Sequence, residues 1–143
     1  MTMAWALGAG LCVVTIFIHL LGLISIVRQT SVAVPALREK PIHHAATYVS
    51  GVILLLIGLH LLEAALWAFA YIGLGEFDDF SKAFYFSIVT ATTLGYGDIT
   101  LSEPWRPLST LEAIAGMLLF GASTALLFQI KLSIFPNPFR SPD

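Results

Sequence analysis

The segment that could do chemistry through its backbone is short: Thr93-Leu94-Gly95-Tyr96-Gly97. Its two glycines oppose continued helix and permit φ/ψ values that a Cβ would forbid. Elsewhere, Ser, His and acidic residues do not converge in a recognised enzyme motif. The four histidines lack a recognised metal-binding spacing. The single Cys12 excludes an intramolecular disulfide and a cysteine metal cluster.

Long apolar runs surround this segment. The chain is 57% hydrophobic and only 11% charged, whereas a soluble domain needs a far more charged surface. Three runs are long enough to predict membrane spans, Met3–Val27, Ala45–Leu74 and Leu108–Ile130. The first run has no basic n-region and is longer than the apolar region of a signal peptide. We therefore predict that it is a retained span.

A fourth apolar stretch, Phe80–Thr92, is too short to cross a membrane as a helix. Asp78, Asp79 and Ser81 near its start are residue types that favour a helix N-terminus. A short helix followed by irregular backbone, between two spans, predicts a re-entrant loop. Such backbone is tolerated at membrane depth only where it is buried in protein or lines a watery path.

Charges between the spans predict their orientation. Segment 28–44 holds three basic residues against one acid, and segment 75–107 holds five acids against two basic residues. The C-terminal tail holds Lys131 and Arg140 against Asp143. By the positive-inside rule, the first linker and the C-terminus are cytoplasmic and the N-terminus is outside. Four aromatic residues near the outer ends of the spans predict an interfacial belt: Trp5, Trp67, Tyr71 and Trp105.

The run Thr90–Asp98, TATTLGYGD, closely resembles the pore loop of the two-helix potassium channel family, bacterial type. The resemblance extends from Ala45 to about Ile130 and leaves out the first span. It implies an all-α membrane protein with three transmembrane helices, a re-entrant pore helix and a selectivity filter. One chain provides one loop, so a closed ring requires four subunits around a central pore.

On this basis residues 1–143 form a single membrane domain. Its predicted segments are an extra N-terminal span (3–27), a cytoplasmic linker (28–44), an outer helix (45–74), a pore helix and filter (79–98), an inner helix (107–130) and a short cytoplasmic tail (131–143).

The resemblance implies a K⁺ filter made of Thr93, Leu94, Gly95, Tyr96 and Gly97. The carbonyls of the first four, from four subunits, would form stacked oxygen rings that replace water around the ion. The Thr93 hydroxyl would complete the innermost site, and the negative end of the pore helix would favour a cation. Leu94 stands where the family more often has Val or Ile, which alters packing behind the filter and leaves the carbonyl ligands in place.

Other residues are implied to support the filter, Thr92 and Asp98 among them. In the family, an acid matching Asp98 bonds to a pore-helix aromatic that matches Tyr85. The alternative is a solvated Asp98 and a Tyr85 at the membrane interface. Some relatives carry a carboxylate in the pore helix, and Val89 stands at that position here.

Two acids lie within predicted spans, where an unpaired charge is costly, so each is a candidate for a functional role. We expect that Glu63, Glu112 or both bond to the back of the pore helix; the alternative is solvation at the outer interface or in an outer crevice. His60 stands three residues from Glu63 and could pair with it. Gly116 and Gly121 are candidates for an inner-helix hinge, although tight helix packing explains them equally well.

The sequence thus predicts one subunit of a homotetrameric, potassium-selective channel, with no enzymatic activity. No cofactor is expected beyond permeant K⁺, and the partners are membrane lipid and identical subunits, with no nucleic acid. The expected location is a prokaryotic inner membrane. The alternatives are a weakly selective cation channel and a non-conducting membrane subunit with a pore-like fold.

Overall fold

The computed structural model describes residues 2–135, and this part of the chain is all-helical. Its elements are α1 (Thr2–Arg38), α2 (Ile42–Gly73), α3 (Phe80–Ala91) and α4 (Arg106–Ile134). Helices α1, α2 and α4 are long and apolar enough to cross a membrane. The predicted fold class, three spans with a short fourth helix between the last two, is confirmed.

Helix α1 extends well past the predicted end of the first span. Residues 28–38, predicted as part of a linker, continue the helix through Pro35 to Arg38. An internal proline removes one backbone hydrogen bond, and next to it Val34 packs into a buried cluster with Ile130 and Ile134 of α4. The Arg38 guanidinium donates to the carbonyl oxygen of Ser133 on α4, at 2.8 Å from Nε and 2.6 Å from Nη2.

The N-terminal helix packs on both α2 and α4. Small residues allow this close approach: a Cβ added at Gly22 would lie 2.5 Å from the Leu59 side chain of α2. A Cβ added at Gly8 would lie 2.6 Å from the Leu111 side chain of α4. The contact with α4 is the more extensive of the two.

The ends of the helices that lie beside α3 share an aromatic core. Trp67 and Tyr71 of α2 are 2% and 0% exposed, so their predicted place in an interfacial belt is wrong. Both have polar groups that find partners inside the bundle, and the Trp67 indole nitrogen donates to the Thr15 hydroxyl at 3.1 Å. Phe77 and Phe86 pack around Tyr71. This core fixes α3 against α2.

Helix α3 begins where the capping residues predicted it. The Asp79 carboxylate accepts a hydrogen bond from the backbone N–H of Lys82 at 2.9 Å. The loops on either side of α3 are joined by Glu76, whose carboxylate accepts from both the backbone and the hydroxyl of Ser102, at 2.7 and 2.6 Å. Helix α4 continues through residues 131–134, which were predicted as the start of the tail. The rest of the tail from residue 136 lies outside the described residues, and with it Arg140 and Asp143, which contributed to the predicted orientation.

Candidate ion pathway

The predicted filter segment has an alternating backbone. Thr93, Gly95 and Gly97 have positive φ values of 59°, 54° and 74°, and the two residues between them do not. The glycines therefore occupy positions where a side chain would be strained, as their spacing predicted. Alternating handedness turns successive peptide groups toward one side of a chain. The positive φ of Thr93 was not predictable from its residue type.

Hydrogen bonds tie the start of this segment to the end of α3. The N–H groups of Leu94 and Gly95 both donate to the carbonyl oxygen of Val89, at 3.0 and 3.2 Å. Among residues 2–135, by contrast, no donor bonds to the carbonyl oxygens of residues 93–96. Four consecutive backbone acceptors on the exposed surface of the single chain therefore have no partner within the described residues.

Thr92 closes the C-terminus of α3. Its hydroxyl donates to the carbonyl oxygen of Ile88 at 2.7 Å, and its backbone N–H donates to the same oxygen at 3.0 Å. The other carbonyls of the last turn carry the partial negative charge of the helix end, immediately before the filter segment. The helix end therefore favours a cation beside residues 93–97.

Asp98 and Tyr85 form the contact that the resemblance implied. The Tyr85 hydroxyl donates to the Asp98 carboxylate at 3.0 Å, which links the pore helix to the residue after Gly97. This hydrogen bond is the largest of the causes that raise the pKa of Tyr85 above its usual value. The role of the pair in supporting the filter stays a prediction.

Glu112 is buried behind the pore helix at 1% exposure. Its carboxylate accepts hydrogen bonds from the Tyr71 hydroxyl of α2, at 2.6 Å, and from the Ser87 hydroxyl of α3. The expectation of a bond to the pore helix is thus met. The partner is Ser87, about one helical turn before Thr90.

Glu63 does not bond to the pore helix in the described part of the chain, in contrast to Glu112. It is paired instead with two histidines: His19 Nδ1 lies 2.8 Å from Oε1, and His60 Nδ1 lies 3.2 Å from Oε2. The pairing of His60 with Glu63 followed from their spacing, but that of His19 did not. Glu63 and Glu112 line one cavity of about 150 Å³ between α2, α3 and α4.

The two candidate hinge glycines differ in their surroundings. A Cβ at Gly116 would overlap the backbone carbonyl of Ala91, at the end of the pore helix. Gly121 has no neighbouring atom within 4 Å of such a Cβ. Helix α4 is continuous through both positions. Gly116 is thus a close-packing site, whereas its use as a hinge, like that of Gly121, stays a prediction.

The chain has three spans, and a short helix and an irregular, glycine-containing segment lie between the last two. This arrangement defines a multi-pass membrane protein of the pore-loop class. The model of a family described as "Ion channel" matches residues 55–131. The chain belongs to this ion channel family, and its recognition as a two-helix potassium channel type is confirmed. The match runs from α2 through the filter segment to α4 and leaves α1 outside.

The chain is also similar to the inward rectifier potassium channel Kirbac3.1 of Paramagnetospirillum magnetotacticum. The two are 37% identical over 83 residues, which is 53% of this chain and 28% of the relative. The chain therefore spans little more than a quarter of the length of the curated relative it matches. No solved structure matches the chain.

Proposed function

We propose that this chain is one subunit of a homotetrameric channel that conducts K⁺ selectively and passively across a prokaryotic inner membrane. The observation that carries the proposal is the set of four free carbonyls at residues 93–96. A cation that leaves water needs replacement oxygens at little net cost, and backbone carbonyls supply them. The family and the potassium channel named as a relative support the same function.

The exposed surface of a single chain supports assembly into a ring. Leu94 and Tyr96 are 53% and 66% exposed in the isolated chain, although both are large and apolar or aromatic. Neighbouring copies would bury these side chains and bring the carbonyls of equivalent residues around one axis. The negative C-terminal ends of four α3 helices would then converge near that axis and favour a cation there.

Ion flux from liposomes that contain the purified full-length chain tests the proposal. We expect K⁺ flux well above that of protein-free liposomes and a much smaller Na⁺ flux under the same gradient. Similar K⁺ and Na⁺ fluxes would indicate the weakly selective cation channel. The absence of flux from a correctly assembled protein would indicate the non-conducting subunit.

Assembly and orientation are tested separately. Native mass spectrometry in detergent is expected to give a homotetramer, and a dominant monomer or dimer would rule out a ring. Tags at the two termini, probed in intact cells, should place the N-terminus outside and the C-terminus in the cytoplasm. The charge distribution of the loops is the reason for this orientation.

A further inference from the structure

A compact polar cluster ties α1 to α2 inside the bundle. Both oxygens of the Glu63 carboxylate are occupied, by His19 Nδ1 at 2.8 Å and by His60 Nδ1 at 3.2 Å. His19 is 0% exposed, and the side chains of Glu63 and His60 are 6% and 13% exposed. Polar side chains this deep in a membrane bundle are costly unless every donor and acceptor is matched.

The second nitrogen of each ring faces the same hydroxyl. Ser123 Oγ of α4 lies 3.3 Å from His19 Nε2 and 3.1 Å from His60 Nε2. If both rings were neutral and donated from Nδ1 to Glu63, both Nε2 atoms would require a donor. A serine hydroxyl has one proton, so it can satisfy only one of them. The cluster is therefore fully matched only when it takes up one further proton or, in its place, a metal ion.

A divalent metal ion removes this mismatch. An ion bound by the two Nδ1 atoms and Glu63 leaves a proton on each Nε2, and both N–H groups can then donate to the two lone pairs of Ser123 Oγ. A second hydrogen bond from each metal-bound imidazole is the usual arrangement in metal sites, because it fixes the tautomer and orients the ring. Ser123 stands where such a shared acceptor is needed.

We propose that His19, His60 and Glu63 form a binding site for a divalent transition-metal ion, with Zn²⁺ as the best match, that joins the N-terminal helix to the outer helix. The three ligand atoms lie within 4.8 Å of one another. Zn²⁺ with ligands at about 2.0–2.2 Å holds them roughly 3.3–3.5 Å apart, so shifts of about half an ångström to one ångström would complete the site. Two imidazoles and a carboxylate suit Zn²⁺, whereas Mg²⁺ and Ca²⁺ prefer oxygen ligands.

The surroundings leave room for a fourth ligand. His60 and Glu63 line the cavity of about 150 Å³ described above, which is large enough for a water molecule on the metal. The His60 ring also stacks on Phe120 of α4, with ring centroids 4.0 Å apart and planes 20° apart. The ion would thus bind where α1, α2 and α4 meet. Because α1 lies outside the family match, the His19 ligand is a feature of this chain beyond that match.

A test of metal binding requires a parent variant from which other possible metal ligands have been removed; this variant is called the background protein. The rings of His43 and His44, in the first turn of α2, have centroids 4.3 Å apart. Both residues are exposed, so they could bind Zn²⁺ adventitiously. The chain has four histidines and one cysteine in total. A Cys12→Ala, His43→Ala, His44→Ala background therefore keeps His19 and His60 as the only imidazoles and removes the only thiol.

Zn²⁺ titration of this background protein, stripped with chelator in detergent, is expected to give one ion per chain and a rise in the unfolding temperature. His19→Gln keeps a polar side chain but replaces a ligand, and we expect at least tenfold weaker binding. Ser123→Ala keeps all three ligands and should lose less affinity than His19→Gln. Absence of saturable binding in the background protein, or equal binding by the His19→Gln variant, would overturn the proposal.

A spectroscopic measurement decides the case if His19→Gln fails to fold. Zinc X-ray absorption of the background protein should show two imidazole ligands, and the visible spectrum of the Co²⁺ form should be that of a low-coordinate site. A spectrum with water oxygens only would show that the cluster holds a proton rather than a metal. These measurements involve no ion flux, so their outcome is independent of the proposed K⁺ conduction.

Discussion

The Glu112 carboxylate of the inner helix accepts a hydrogen bond from Tyr71 of the outer helix, at 2.6 Å, and another from Ser87 of the pore helix. All three side chains are at most 1% exposed. One buried acid thus joins the three helices that hold the filter segment. Because the Glu112 carboxylate satisfies both hydroxyls, its loss would affect two elements at once.

We predict that Glu112→Ala destabilises the protein more than Glu112→Gln. Alanine leaves the Tyr71 and Ser87 hydroxyls without their acceptor, at about 1–3 kcal/mol for each buried group. Glutamine keeps the shape and one carbonyl acceptor, and either hydroxyl can turn to accept from its amide. Thermal unfolding of the purified protein and K⁺ flux from liposomes compare the two variants. We expect flux to persist in the Gln variant and to fall in the Ala variant.

Tyr71→Phe provides the matched control for that comparison. It removes one hydroxyl, keeps the ring in the aromatic core and leaves the Ser87 bond to Glu112 intact. Its effect on stability should therefore be smaller than that of Glu112→Ala. If Glu112→Ala assembles, selects and conducts like the parent, the buried acid has no structural role.

Gly116 is predicted to tolerate no larger residue. A Cβ there meets the backbone carbonyl of Ala91, which cannot rotate away as a side chain can. We expect Gly116→Ala to cost on the order of 1–3 kcal/mol, as overpacking usually does, and to displace the C-terminal end of the pore helix. The unfolding temperature and the K⁺ to Na⁺ flux ratio should both fall.

Two other glycines are controls for Gly116. At Gly22 the added Cβ meets only the flexible end of the Leu59 side chain, and at Gly121 it meets nothing within 4 Å. Gly22→Ala should therefore cost less than Gly116→Ala, and Gly121→Ala should be neutral or favourable because Ala is the better helix former. Equal costs at all three positions would contradict the packing argument.

The sequence predicted most of the fold because its signals are local. The length of the apolar runs predicted the spans, and Asp79 as a capping residue predicted the start of α3. The positions of Gly95 and Gly97 predicted where the backbone has positive φ values. The end of α1 was missed because Pro35 signals a helix stop, and the contacts made beyond it, such as that of Arg38 with Ser133, join residues distant in sequence.

Contacts around the candidate ion pathway were predictable only between residues that are close in sequence or that match the family motif. Tyr85 and Asp98 belong to one motif, and their contact is present. His19 and Glu63 are 44 positions apart on different helices, so no spacing rule could join them. Their pairing depends on how α1 docks, which is set by packing across the whole bundle.

Glycine at position 97 is predicted to be required for conduction. Its φ of 74° is one that an L residue adopts at a cost of about 1–2 kcal/mol, and the strain would fall on the filter itself. Gly97→Ala should abolish or strongly reduce K⁺ flux while the tetramer persists in native mass spectrometry. Gly51→Ala, in the middle of α2 with no atom within 4 Å of the new Cβ, should conduct like the parent.

The contact between Tyr85 and Asp98 is predicted to hold the outer end of the filter. The two side chains join the pore helix to the residue that follows Gly97, so removing either should loosen the same stretch of backbone. Tyr85→Phe and Asp98→Ala are each expected to lower the ratio of K⁺ to Na⁺ flux. Because both changes break one shared hydrogen bond, the double variant should be little worse than the more affected single variant. Fully additive losses, or unchanged selectivity in all three variants, would show that the contact is not what holds the filter.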